Sequence, residues 1–109
     1  MSRKLDAALA EALGYEVVWS ADMPWQVKNK KAYPPTRYSS DGNAMLELDR
    51  EMRERGWMLE IYFADASDEY VVDYEKPNED IFYSGLADTM PKAVALAAYH
   101  ALTGKEWTE

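Results

Sequence analysis

Residues Ser84 to Gly104 read SGLADTMPKAVALAAYHALTG, a capped, alanine-rich helix that docks on a sheet. Asp88 or Thr89 can cap the first free N–H groups, and Pro91 sits in the first turn, where a missing N–H costs nothing. Ala93, Ala95, Ala97, Ala98 and Ala101 supply the strongest helix formers. Gly104 stands where a left-handed residue closes the helix. Val94, Ala97, Ala98, Ala101 and Leu102 make one stripe, flanked by Leu96 and Tyr99. A helix this apolar belongs at the centre of a domain, and its small side chains allow close approach.

The remaining elements follow outward from this helix. Ser2 can cap a first helix over 3–13, in which Leu5, Ala8, Leu9, Ala12 and Leu13 keep the spacing of a one-faced amphipathic helix. Gly14 stops it. Residues 15–19, YEVVW, alternate as a short strand. Residues 20–40 have no clear period and contain Pro24, Pro34 and Pro35, so they read as a long loop. The piece from Trp25 to Lys28 is compatible with a short strand. A second helix spans 41–55 after a cap at Ser39, Ser40 or Asp41, with Met45, Leu48 and Met52 as its apolar stripe. Strands at 57–64, 69–75 and 81–84 form an antiparallel meander across short turns. The closing helix covers 89–103.

This order predicts one α+β domain over 1–109, with three helices and a small, mainly antiparallel sheet of about four strands. Three motifs carry a family resemblance: LDAALAEALGYEV, YSSDGNAMLELDREMRERGW and ADTMPKAVALAAYHAL. Together, over about residues 5 to 102, they resemble the phage ABA sandwich domain family of small bacteriophage and prophage proteins. The resemblance implies an α/β/α sandwich and a phage origin. It implies no activity and no catalytic residue. The lysine-rich segment from Val27 to Arg37 matches no motif of that family. Alternation alone leaves the strand face with Glu60, Asp73 and Glu75 half wet, whereas a sandwich would cover it with a helix.

The 109 residues include no cysteine, so there is no disulfide framework and no thiolate site. The start MSRKLDAALAEALG carries Asp6 and Glu11 and does not read as a signal peptide. No apolar run approaches the roughly 20 residues that span a bilayer, and a cytoplasmic location in a bacterial host is expected. A formal charge of −8 argues against generic nucleic-acid binding.

The charge is uneven. Between Pro24 and Ser40 lie Lys28, Lys30, Lys31 and Arg37 and no acid. With Trp25, Tyr33 and Tyr38 they make a basic, aromatic segment that can hold a phosphate and stack a base. The plainer reading is a solvated loop whose rings pack inward. Eight acids between Glu60 and Asp80 face one base, Lys76, which reads as a solvated acidic surface. They lack the spacing of a calcium loop. His100 is the sole histidine and has no evident catalytic partner.

The functional expectation is a small binding protein acting on a host or phage protein, with no cofactor. The alternative is a counter-defence protein that sequesters a small nucleotide through residues 25–38, and an enzyme ranks third. A sheet edge in need of cover also predicts a homodimer.

Overall fold

The computed structural model describes residues 3–108, and the cap assigned to Ser2 lies outside them. The fold is α+β, with three helices and two three-stranded antiparallel sheets among the described residues. The elements are α1 (Arg3–Ala12), β1 (Glu16–Ser20), β2 (Met23–Lys28), β3 (Lys31–Tyr33), α2 (Gly42–Glu54), β4 (Met58–Ala64), β5 (Glu69–Lys76), β6 (Ile81–Ala87) and α3 (Met90–Thr103). One sheet has the order β1-β2-β3 and the other β4-β5-β6.

Helix α3 is the organising element. One side of it packs on β5 and β6, and another meets α1 and α2. Ala93, Val94, Ala95, Ala97 and Ala98 are therefore all buried. Its capping residue is Thr89, in extended backbone and without a side-chain cap bond, and Pro91 sits in the first turn. Gly104 takes φ 74° and donates its N–H to His100 O at 2.8 Å, which ends the helix in the left-handed manner. Leu5, Leu9, Leu48, Met52, Val72 and Tyr74 complete the core at 0% exposure. Each aliphatic side chain among them contributes about 1.5–3 kcal/mol by leaving water.

Strand β6 extends to Ala87, beyond the expected end at Ser84. Gly85 lies one residue past the expected end, and it sits within the strand against α3. A Cβ built there would lie 2.5 Å from both Ala93 O and Ala97 N. The missing side chain is what lets the helix backbone come so close.

The segment 20–40 also departs from the expected loop, because β2 and β3 lie inside it and form two hairpins with β1. Ala21 and Asp22 have φ 51° and 63°, and Asn29 and Lys30 have φ 51° and 66°. Positive φ at both central residues marks the tight turn that matches strand twist. Neither turn carries the glycine that normally announces it. Pro24 pairs with Trp19 on β1 at a point where β3 has not yet begun, so its missing N–H breaks no second ladder.

Two polar contacts, one buried and one part-buried, lock the helices to this framework. Ser39 N donates to Asp6 Oδ1 at 2.8 Å, which holds the approach to α2 against α1. Arg55 Nη2 donates to Leu13 O at 2.9 Å, just past the end of α1. Asp41 caps α2 by accepting from Asn43 N at 2.8 Å.

Candidate functional site

The meander β4–β6 has two unlike faces. Residues directly opposite across antiparallel strands share a face. Leu59, Tyr74 and Tyr83 form one row toward the helices, and Ile61, Val72 and Gly85 form the next. The opposite face has the rows Met58–Glu75–Phe82, Glu60–Asp73–Ser84 and Tyr62–Val71–Leu86. Phe82 is 65% exposed, Met58 57%, Leu86 51% and Tyr62 49%. This face is in water, as alternation alone implied.

Its chemistry is specific. The rows place apolar side chains at both ends and three carboxylates, Glu60, Asp73 and Glu75, at the middle and one flank. They include no lysine or arginine. Ser84 Oγ donates to Asp73 Oδ1 and fixes that carboxylate across the strands. Among the described residues no group of three His, Cys, Asp or Glu is placed to hold a metal ion.

The basic, aromatic residues do not gather in one place. In the register of the small sheet, Lys28 is opposite Lys31 and Gln26 opposite Tyr33, so these four share a face. Trp25, opposite Val18, is on the other face. Lys30 occupies the tip of the β2–β3 hairpin. Arg37 is exposed, whereas Tyr38 is 2% exposed and belongs to the core. Burial, with the Glu51 charge nearby, pushes the Tyr38 hydroxyl well above the ordinary tyrosine range.

A polar hollow of about 420 Å³ is lined by Lys28 and Tyr38 together with Tyr15, Thr36, Glu47, Arg50, Glu51 and Glu54. Lys28 Nζ stands 5.7 Å from the Tyr15 ring centroid, and the Tyr15 hydroxyl donates to Glu51 Oε1 at 3.3 Å. Three glutamates face two cations in this hollow, a balance that repels a phosphate. The signal for it was present in α2, where Glu47, Glu51 and Glu54 recur at helical spacing.

His100 lies in a second hollow, of about 230 Å³, with Ser84, Gly85, Leu86, Leu96, Glu106 and Trp107. Its ring meets Tyr83 edge-on, 4.7 Å between centroids, and its Nδ1 is buried without a hydrogen-bond partner. Trp107 returns to pack on Tyr99 at 5.2 Å.

No family model matches this sequence. No curated protein matches it either. The fold is shared with a crystal structure of a phage protein from Bacillus cereus, with a TM-score of 0.77. That similarity covers 99% of this chain and 93% of the other at 19% sequence identity. Among the described residues no helix is long and apolar enough to cross a membrane.

Proposed function

We propose that this chain is a phage-encoded protein that binds a partner protein through the open face of β4–β6. The observation that carries the reading is the alternation on that face of exposed apolar residues with Glu60, Asp73 and Glu75. Solvated sheet faces are ordinarily polar, and large apolar side chains left exposed beside charge mark an interaction surface. The partner that fits is an amphipathic helix with a lysine or arginine stripe between apolar rows. Such a helix would place its cations over Glu60 and Asp73 and its apolar residues against Met58, Phe82, Tyr62 and Leu86. The phage origin rests on the shared fold with a phage protein and on the motif resemblance. Action by occupancy rather than catalysis agrees with a face built of aromatics, aliphatics and carboxylates.

The test is capture from a bacterial host lysate by the wild-type chain and by a Glu60→Lys/Tyr62→Ala variant. The expected result is a protein retained by the wild type and lost by the variant, with retention falling as salt rises. Equal capture by the two chains, or no capture, overturns the reading.

A further inference from the structure

We propose that the free edge of β6 pairs antiparallel with the same edge of a second copy, centred on Ser84, and joins two meanders into one six-stranded sheet.

The two sheets have four edge strands: β1, β3, β4 and β6. Natural edges are blunted by charge, proline or brevity, because an unpaired row of N–H and C=O groups templates another strand. β1 carries Glu16, β3 is three residues long and begins with Lys31, and β4 carries Glu60. β6 reads IFYSGLA over seven residues, with no charge and no proline. Among the described residues it is the one edge strand of the four whose own sequence carries no such guard. Beside it lies the 230 Å³ hollow at Ser84, Gly85 and Leu86, which Leu96 and His100 of α3 and Glu106 and Trp107 of the tail also line.

The strand is self-complementary. A two-fold axis normal to the sheet keeps each residue on its own face, so only residues of like parity can be opposed. The middle residue of Ile81–Ala87 is Ser84, so one register alone pairs the strand over its whole length. In that register Phe82 meets Leu86 of the second copy, twice by symmetry. These are the 65% and 51% exposed side chains of β6, and the pairing covers both. Ser84 meets its own equivalent, Tyr83 meets Gly85, and Ile81 meets Ala87. No like charges are opposed. The second copy fits this edge better than an unrelated strand, because the sequence supplies a matching partner at every position. The pairing shares Phe82 and Leu86 with the partner-binding reading and leaves Glu60, Tyr62 and Met58 open, so the mass of the purified chain and lysate capture by the Glu60→Lys/Tyr62→Ala variant test the two apart.

The experiment is sedimentation velocity across a concentration series, at about 0.15 M salt to screen the net charge. The wild-type chain is expected to shift toward twice the chain mass as concentration rises. A Phe82→Lys/Leu86→Lys variant opposes like charges at both symmetric pairs and is expected to stay at the single-chain mass. A Phe82→Lys/Leu86→Glu variant opposes unlike charges at the same pairs and is expected to regain the doubled mass. Both positions are exposed, and circular dichroism checks that each variant folds. A wild-type chain that stays single at the highest concentration overturns the proposal. So does a doubled mass that the like-charged variant retains.

Discussion

The Tyr74 hydroxyl donates to Asp49 Oδ1 at 3.0 Å, a buried bond that ties the middle strand of the meander to α2. Asp49 also pairs with Arg53 at 2.9 Å. Burial, with the Asp49 charge beside it, pushes the Tyr74 hydroxyl far above its ordinary range, so it remains a donor. Tyr74→Phe keeps the ring in the core and removes the bond to a charged acceptor. The expected loss is about 1.5–3 kcal/mol. It should appear as a lower urea midpoint with an unchanged slope.

Gly85 sets the distance between α3 and its sheet. With a Cβ at 2.5 Å from Ala93 O and Ala97 N, Gly85→Ala must move helix backbone rather than a flexible side chain. The expected cost is about 1–3 kcal/mol, the range for overpacking a tight core. Leu86→Ala, one residue away on the exposed face, should change stability by less than about 0.5 kcal/mol at concentrations where the chain is single. Thermal unfolding of the two variants side by side checks the contrast. Similar losses in both would show that close packing at Gly85 is not what holds the layers together.

Asp6 makes stability depend on acid pH in an unusual direction. Its carboxyl is buried, and desolvation raises its pKa above the ordinary 3.8 despite the bond from Ser39 N–H. The folded state therefore holds this proton to higher pH than the unfolded state does. Stability from this group is present below the ordinary value and is lost as pH rises through the raised one. Asp6→Asn can keep the Ser39 bond without the charge. The stability of the variant relative to wild type should therefore climb between about pH 3 and pH 7. Urea midpoints at several pH values measure that gap, and a gap that is flat or closes with pH contradicts the assignment.

The helices were legible from their apolar stripes and from boundary residues, although Thr89 makes no side-chain cap bond to α3. Asp41 and Gly104 act where their types predict, and the alanine run of α3 is buried on both sides as its composition implies. The meander was legible by alternation, and so was its wet face. What escaped was set by contacts distant in sequence. The strand over 81–84 continues through Gly85 because Ala93 and Ala97 lie against it, a contact no local pattern shows. Pro24 reads as a breaker until the register shows that it has a strand on one side only. The basic segment read as one group because its residues are close in the chain. Strand geometry then sent Trp25 to one face and Lys28, Lys31 and Tyr33 to the other. The polar hollow was not visible as a site because its glutamates come from α2 and its lysine from β2.

Lys30 offers a direct test of the hairpin that replaced the expected loop. It occupies the second central position of the β2–β3 turn at φ 66°, after Asn29 at φ 51°. A residue with a Cβ pays about 1–2 kcal/mol for that conformation, whereas glycine adopts it freely. Glycine also enlarges the freedom of the unfolded chain, which returns part of the gain. Asn-Gly is nonetheless the preferred pair for this turn. Lys30→Gly should therefore stabilise the protein by about 0.5–1 kcal/mol. In an irregular loop with ordinary φ the same change would lower stability, because only the entropy of the unfolded chain would respond. The sign of the shift in unfolding midpoint decides between the two. A stabilised variant would also show that Lys30 serves the turn less well than glycine does.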